Sequence, residues 1–286
     1  MSEDLHTIRE ENLHHVIRLM NESSRGMSLE THLNLVGFLG LWRCWNFSCE
    51  HSLIRYVEGE PAALILNCTD VDAHDAYTFY WGALPKFRNR RISLALFDAC
   101  CRKLHDNGYT MLYGDSVPDR PVRRYRLLQA QPQYDFIDMQ AISPALPAAE
   151  PRFEVQQIDC SLVSRVPLPQ AEPIHWCQRH AFLRNAAAVL QFLGAFAEDA
   201  LKAYMVVLPS PANTVLFDLR SPGSCLSAGY ELLRFLVQNY RAPFTATNVR
   251  RNSYAHSLLT SAGFGVKREF SSLYRDLRTT CSTTAT

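Results

Sequence analysis

Hydrophobic residues in the first half of the chain change their spacing several times. In residues 10–21 they stand at Leu13, Val16, Ile17 and Met20, which is the spacing of a helix with one buried face. Elsewhere, runs of apolar and aromatic residues end at turns that contain Gly or Asn, as strands do. The predicted elements are a strand at 6–9, helices at 10–21 and 29–39, strands at 51–58, 61–68 and 76–84, a helix at 92–105, a strand at 109–113, a helix at 121–129 and a strand at 134–141.

The second half repeats much of this order. Its predicted elements are a strand at 153–158, a mostly helical stretch at 176–196, strands at 201–208 and 214–219, a helix at 226–240, a strand at 244–248, a helix at 253–262 and a strand at 265–274. Two similar orders of strand and helix in one chain indicate a duplication. Residues 279–286 are rich in Ser and Thr and are predicted to be a disordered tail.

A Pro-rich segment separates the two halves. Residues 143–151 contain Pro144, Pro147 and Pro151, and prolines this close together disfavour both helices and central strands. The small residues between them suit an extended connector. The sequence therefore predicts two domains of mixed α/β class, at 1–142 and 152–278.

Composition narrows the kinds of partner that this chain can have. Of its 286 residues, 47% are hydrophobic and 20% are charged, and the net charge is +1. Such a chain has no overall field that attracts nucleic acid, and no apolar run reaches the roughly 20 residues that a membrane span needs. The acidic N-terminus is unlike a signal peptide, which favours a cytoplasmic location. The nine cysteines include no CxxC pair and no Cys/His spacing typical of zinc, so no metal site is expected.

The segment most informative about chemistry leads from the strand at 76–84 into the helix at 92–105. Three arginines, Arg88, Arg90 and Arg91, stand in the turn between them. Main-chain N–H groups at the start of a helix are unpaired, and the helix dipole favours negative charge there. Arginines in such a turn add charge-assisted hydrogen bonds to phosphate oxygens. The segment is a candidate anion-binding turn, and the alternative is a solvated basic turn before an ordinary helix.

This turn resembles the pyrophosphate-binding turn of the GCN5-related N-acetyltransferase (GNAT) superfamily. In that family a strand ending in Val-x-Pro leads into an aromatic residue, an Arg and spaced glycines, and then into an apolar helix. Here Ala83-Leu84-Pro85 ends the strand, Phe87-Arg88 follows, and Arg91 and Ser93 stand at two glycine positions. The residues that the resemblance assigns to acyl-CoA binding are Ala83, Leu84, Arg88, Asn89, Arg90, Arg91, Ile92 and Ser93.

The resemblance also implies a fold and a co-substrate. The expected fold is α/β, with two tandem GNAT-like domains that each have a mostly antiparallel sheet, a splayed central strand pair and flanking helices. The expected co-substrate is acetyl-CoA or another acyl-CoA. Both expectations depend on the family pattern rather than on composition or spacing.

Two further residues of the first half are candidates for catalysis. Tyr125 falls at the family's tyrosine position, counted back from Gln129-Ala130, which replace Gly-Phe. In the family this phenol protonates the departing thiolate of CoA, a general-acid role that suits an O–H group held near sulfur. Asp115, after the strand at 109–113, is placed towards the cleft of this fold and is the candidate base for the amine. The alternatives are a tyrosine that packs on the sheet and an aspartate that caps a turn.

The second half keeps a different part of the family pattern. Asn252, Ala255 and Gly263-Phe264 match it in register, but Leu259 stands at the tyrosine position and cannot donate a proton. The turn after its third predicted strand also lacks the family motif. The second domain is therefore predicted to be degenerate as a catalyst.

Three functions are consistent with these residues. The resemblance implies an enzyme that moves an acetyl or other acyl group from acyl-CoA to a primary amine of a small molecule or peptide by direct attack. A non-catalytic acyl-CoA sensor or structural partner is the main alternative, because the glycines of the turn are missing. A transferase that uses a charged RNA instead of CoA is the third, and the near-neutral charge of the chain argues against it.

Overall fold

The fold was obtained as a computed structural model, which describes residues 4–26, 30–88, 90–116, 128–148, 152–166, 174–210, 212–222 and 225–279. These residues form twelve strands and six α-helices, with short 3-10 helices between some of them. They divide into two compact units: unit 1 comprises residues 1–133 and 272–286, and unit 2 comprises residues 134–271. Within the described ranges, no helix is long and apolar enough to span a membrane.

Unit 1 is a mostly antiparallel sheet with helices packed against it. Its strands are β1 (Asp4–Thr7), β2 (Leu53–Val57), β3 (Glu60–Asp70), β4 (Asp75–Ala83), β5 (Met111–Asp115) and the end of β12 (Gly265–Asp276). Its helices are α1 (Leu13–Ser24), α2 (Leu35–Trp45) and α3 (Arg90–Asp106). The strands lie in the order β1-β2-β3-β4-β5-β12, in which β4 and β5 run parallel and the other pairs run antiparallel.

Helices α1 and α3 cover opposite faces of this sheet. On one face the phenol of Tyr80 donates to the main-chain carbonyl of Met20 in α1, over 3.1 Å. The next residue along β4, Trp81, packs on Phe97 of α3 with ring centroids 5.3 Å apart. Because successive side chains of a strand point to opposite faces, β4 lies between the two helices.

Unit 2 has the same plan. Its strands are the first part of β12, β6 (Gln131–Ala141), β7 (Glu154–Gln157), β8 (Gln191–Ala197), β9 (Ala200–Pro209), β10 (Thr214–Arg220) and β11 (Phe244–Arg250). Its helices are α4 (His180–Asn185), α5 (Leu226–Asn239) and α6 (Tyr254–Ser261). The order is β12-β6-β11-β10-β9-β8-β7, and β10 and β11 run parallel, as β4 and β5 do in unit 1. The predicted fold class, an α/β chain with a mostly antiparallel sheet in each unit, is confirmed.

One long prediction was wrong. Residues 176–196 are not mostly helical: a 3-10 helix at Trp176–Gln178 and the short α4 are followed by β8, in which Phe192, Leu193 and Ala195 are buried. A strand covered on both faces loses the alternation of apolar and polar residues, so its sequence is easily taken for a buried helix.

Helix α2 also differs from its prediction. It begins at Leu35 and runs to Trp45, whereas a helix was expected at 29–39. The side chain of Asn34 accepts from the main-chain N–H of Gly37, and Asn46 adopts a left-handed conformation (φ 49°) after the last turn. Two asparagines therefore mark its ends. The predicted helix at 121–129 and the predicted tail at 279–286 fall almost wholly outside the described residues.

The compact units do not coincide with the two halves of the sequence. Strand β6, expected to close the first domain, pairs with β11 in unit 2. The last five residues of β12, from Ser272 to Asp276, pair with β5 in unit 1. The described part of the Pro-rich segment, residues 143–148, lies within unit 2. Pairing between strands so distant along the chain leaves no local signal in the sequence.

Candidate functional site

The sheet of unit 1 opens between its two parallel strands. Pairing of β4 with β5 stops at Thr78 and Gly114, while β4 continues for five more residues to Ala83. At the same place β4 has a bulge, because Thr78 and Tyr80 face successive residues of β3 and leave Phe79 as an extra residue. A bulge bends its strand and increases the local twist. The bulge therefore directs the second half of β4 away from β5.

The solvent exposure of residues in β4 indicates the same opening in the sheet. All five residues of β4 from Thr78 to Gly82 are half-buried, although β4 is an inner strand of the sheet. On the neighbouring strand β3, every residue from Pro61 to Cys68 is buried. An inner strand is normally covered by its neighbours and by the layers above and below it. The second half of β4 therefore lies along the opening between β4 and β5, which is here called the cleft of unit 1.

Asp115 lies at the end of β5, beside this cleft. One of its carboxylate oxygens, Oδ2, accepts a hydrogen bond of 2.8 Å from the phenol of Tyr77. The ring of Tyr77 stacks on Trp45 of α2, with centroids 5.7 Å apart and an angle of 15° between the planes. A carboxylate has acceptor sites beyond one hydrogen bond, so Asp115 is held in place and keeps the capacity to accept a proton. Its role as the base stays a prediction.

Arg88 connects the turn before α3 to the end of α1. Its Nη2 donates to the main-chain carbonyl of Ser23 over 2.8 Å, and its Nε lies 3.4 Å from the carbonyl of Ala83. Ser23 is in the last turn of α1, where carbonyl groups lack helical partners and a cation is favourable. The guanidinium of Arg88 therefore connects the turn before α3 to the end of α1. The assignment of Arg88 to pyrophosphate binding did not include this structural contact.

The other residues assigned to acyl-CoA binding differ in what they present. Leu84 and Ile92 are buried in the core, and the main-chain N–H of Leu84 donates to Ala62 over 2.9 Å. Arg91 is exposed and Ser93 is half-buried, so these two residues present side-chain atoms at the start of α3. Three assignments, Asn89, the side chain of Arg90 and the candidate acid Tyr125, lie outside the described residues.

These contacts separate the expected effects of two arginine variants. We expect Arg88→Ala to lower the free energy of unfolding by about 1 kcal/mol, because it removes hydrogen bonds from a charged group to the carbonyls of Ser23, at the end of α1, and Ala83, at the end of β4. Arg91 is exposed, as Arg88 is, and Arg91→Ala, which removes the same charge without those two hydrogen bonds, is expected to leave stability unchanged. Urea denaturation of the two variants, compared with the native chain, makes the measurement. Equal stability of both variants would show that the Ser23 contact contributes nothing.

Unit 2 has a counterpart of this opening at the equivalent place. Pairing of β10 with β11 stops at Leu216 and Ala246, and β10 then continues to Arg220. Here too the bulge residue is a phenylalanine, Phe217, which has no partner in the register between β10 and β9. Counted from the two bulges, Tyr80 corresponds to Asp218 and Gly82 to Arg220.

The equivalent positions Gly82 and Arg220 differ in size: β4 has no side chain there, and β10 has a long charged one. A Cβ atom on Gly82 would lie only 2.7 Å from Oγ of Ser23 and 3.0 Å from the ring of Tyr80, so a side chain there would require these neighbours to shift. In β10, Arg220 is 9% exposed and its Nε lies 2.8 Å from Oδ1 of Asp218, which is 4% exposed.

Asp218 is held by a second partner as well. Its Oδ2 accepts a hydrogen bond of 2.7 Å from the phenol of Tyr204. Burial raises the pKa of Asp218, while the charge of Arg220 and the hydrogen bond from Tyr204 act in the opposite direction. Sequence reasoning missed this buried network. The one signal available was an acid and a base two residues apart at the end of the strand predicted at 214–219, a spacing that places both on the same face if the strand continues to Arg220.

Among the described residues, neither opening contains a metal site. Throughout the part of the chain that the structure describes, no group of three or more His, Cys, Asp or Glu side chains could hold a metal ion.

Burial raises the pKa of the Cys101 thiol to about 12, so this core cysteine is a poor nucleophile at neutral pH.

The fold is that of tandem GNAT proteins. A tandem GNAT protein from the clavulanic acid biosynthesis pathway matches with a TM-score of 0.68 at 13% identity, covering 96% of this chain and 99% of that one. GCN5-related N-acetyltransferases from Sphaerobacter thermophilus (TM-score 0.67, 11% identity, 96% of each chain) and Kribbella flavida (TM-score 0.64, 15% identity, 97% of this chain and 73% of that one) also match. No protein-family model and no curated sequence matches the chain. Similarity at these identities establishes the fold alone.

Proposed function

We propose that this protein is an acyltransferase that moves an acetyl or other acyl group from acyl-CoA to a primary amine of a small molecule or peptide. The observation that supports this most is the cleft between β4 and β5 in unit 1. The stretch of β4 along it, from Thr78 to Gly82, is half-buried and continues into the basic turn before α3. The cytoplasmic location inferred from the sequence belongs to the same proposal.

The residues around the cleft fit acyl-CoA in two ways. The parted half of β4 offers main-chain groups, near Tyr80 and Trp81, that can hydrogen-bond to the acyl thioester. The start of α3 offers unpaired N–H groups together with Arg91 and Ser93, which suits a pyrophosphate. Arg91 stands where the family has glycine, so its side chain must turn outward or contact the phosphates directly.

In the proposed reaction the acyl group passes directly from the thioester to the amine, without a covalent enzyme intermediate. The amine nitrogen attacks the thioester carbonyl carbon, and the tetrahedral intermediate collapses by breaking the carbon–sulfur bond. Asp115, directly or through water, takes the proton that the nitrogen loses, and Tyr125 gives a proton to the departing thiolate. The products are an amide and CoA with a free thiol.

A non-catalytic acyl-CoA sensor is the second candidate. Arg91 at a glycine position favours it, because a bulky residue there changes the close approach of main chain to phosphate that the family motif provides. The sensor and the enzyme share the binding step and differ in turnover.

Calorimetry with acetyl-CoA tests the binding step. We expect the native chain to bind one equivalent, and Arg91→Ala to bind it about tenfold more weakly, with a smaller salt dependence, because one charge–phosphate contact is lost. Pantetheine, which lacks the pyrophosphate, is the control ligand and should show no difference between the two proteins. Absence of acetyl-CoA binding would reject both candidates. Binding without thiol release on a panel of amines would reject the enzyme.

A further inference from the structure

The openings of the two units differ in what fills them. The parted stretch of β4 in unit 1 is half-buried from Thr78 to Gly82. The equivalent stretch of β10 in unit 2 is buried from Asp218 to Arg220. Both stretches follow a phenylalanine bulge at the same place in the sheet.

Gln178 spans the opening of unit 2. It is the last residue of the 3-10 helix Trp176–Gln178. Its Nε2 donates to the carbonyl of Phe217, over 3.1 Å, and to the carbonyl of Asn248, over 3.3 Å. Phe217 is the bulge residue of β10, and Asn248 lies on β11 beyond the last paired residue. One carboxamide therefore bonds to both of the strands that have parted.

The other end of this carboxamide is held equally well. Oε1 of Gln178 accepts from Nη2 of Arg220, over 3.1 Å, and from the main-chain N–H of His175, over 3.3 Å. A side-chain amide has two N–H donors and one oxygen with two acceptor positions, so these four contacts use its full capacity. Arg220 is fixed in turn by Asp218. The half-buried side chain of Gln178 is thus held by four hydrogen bonds and joined to the buried Arg220–Asp218 pair.

A small pocket lies next to the carboxamide of Gln178. Its lining includes Gln178, Arg220, Thr247, Arg250, Ser253 and Leu259, which come from both strands and from α6. Residues 216–220 of β10 and 246, 247, 249 and 250 of β11 also line it, so the pocket lies in the opening itself, and its volume of about 20 Å³ suits a single water molecule and not an acyl chain.

We infer that Gln178 is an internal ligand that closes the cleft of unit 2, so that this unit does not admit acyl-CoA. Its amide takes the main-chain carbonyls that an amide-bearing ligand placed between the strands would need. Displacing it would break four hydrogen bonds, and groups that lose a hydrogen-bond partner away from water are costly in free energy. The closure itself is independent of the proposed function, whereas the stoichiometry that follows from it rests on that function.

Hydrogen exchange of the full chain tests the closure without any ligand. In Gln178→Ala, we expect the amides of residues 217–220 and 247–250 to exchange about tenfold faster than in the native chain, because loss of the bridge lets the two strands open. Gln178→Glu keeps the size of the side chain and loses both donated hydrogen bonds, so it should show the same acceleration. Exchange in residues 191–207, on β8 and β9, should stay at the native rate and reports that unit 2 is folded.

A matched variant removes a similar amide elsewhere. Nδ2 of Asn239 donates to the carbonyl of Phe235 at the end of α5, over 2.9 Å, and Asn239→Ala should leave exchange in β10 and β11 unchanged. Native exchange at 217–220 and 247–250 in both Gln178 variants would overturn the closure.

Calorimetry with acetyl-CoA separates the closure from the proposed function. The native chain is expected to bind one equivalent. Two equivalents would show that the cleft of unit 2 admits the ligand and would overturn the closure. Zero equivalents would reject the proposed function in unit 1, and the exchange measurement would still decide whether Gln178 closes unit 2.

Discussion

Arg220→Met is expected to lower the free energy of unfolding by about 3–5 kcal/mol at neutral pH, the largest stability loss that we predict for a single substitution. Methionine fills the space of the arginine stem, so little of the loss comes from packing. The loss comes from Asp218, whose side chain is 2% exposed and keeps the phenol of Tyr204 as a partner but loses its cation. A buried charge without its counter-charge is far more costly than the intact pair is favourable.

The chain contains a matched control for this prediction. Asp218-Leu219-Arg220 and Asp276-Leu277-Arg278 are the same tripeptide, and in both the arginine lies within 2.8 Å of the aspartate. The Arg278 side chain is 65% exposed, whereas that of Arg220 is 10% exposed. Because solvent screens exposed ion pairs, Arg278→Met is expected to leave stability nearly unchanged. Equal losses at the two positions would show that burial of the pair is not the cause.

The effect of Arg220→Met should depend on pH. Burial raises the pKa of Asp218 above its value in the unfolded chain. The pKa of Asp in the unfolded chain is about 4, and the pKa of Asp218 in the folded chain is higher. In the pH window between these two values, the unfolded state has released a proton that the folded state still holds. The free energy of unfolding therefore falls as the pH rises through this window. Removing Arg220 raises the pKa further and widens the window. The loss measured by urea denaturation should therefore shrink at about pH 4, and Asp218→Asn in the Arg220→Met background should recover most of it.

The two tripeptides also show what sequence can and cannot predict. Hydrophobic spacing located β3, β4 and α3 because each buries one or both faces in the core of its own unit. The same tripeptide gives a buried pair in β10 and an exposed pair after β12, because burial depends on what the rest of the fold places above it. Local patterns specify elements, and tertiary packing decides which charges leave water.

In the candidate site, too, the sequence predicted a local element but not the contacts that depend on tertiary packing. The motif identified the turn before α3, since basic residues, an aromatic residue and an apolar helix are close together in the sequence. It did not show that the guanidinium of Arg88 bonds to Ser23, 65 residues earlier. Nor did it show Gln178, whose partners Phe217 and Asn248 are 39 and 70 residues away. Main-chain acceptors have no residue type, so a side chain that binds them leaves no complementary signal in the sequence.

Tyr125→Phe is the substitution with the largest expected effect on the proposed reaction. We expect kcat for acetyl transfer to fall about 100-fold or more, while the affinity for acetyl-CoA stays at the native value. The phenol is proposed to give its proton to the departing thiolate, a contact that forms only as the carbon–sulfur bond breaks. Loss of an interaction made at that stage lowers kcat without weakening ground-state binding. Release of free thiol, measured with saturating amine, gives kcat, and calorimetry gives the affinity.

The choice of phenylalanine separates the two roles that the sequence left open for Tyr125. Phenylalanine keeps the ring and removes the O–H, so a tyrosine that only packs on the sheet would tolerate the change, and an unchanged kcat would reject the acid role. Asp115→Asn provides the complementary control. It keeps a group that accepts from the Tyr77 phenol, seen at 2.8 Å, but cannot take a proton from the amine. If Asp115 is the base, its variant loses the acidic limb of the pH–rate profile, whereas Tyr125→Phe loses the basic limb. Two variants with the same limb lost would contradict the assignment of separate acid and base.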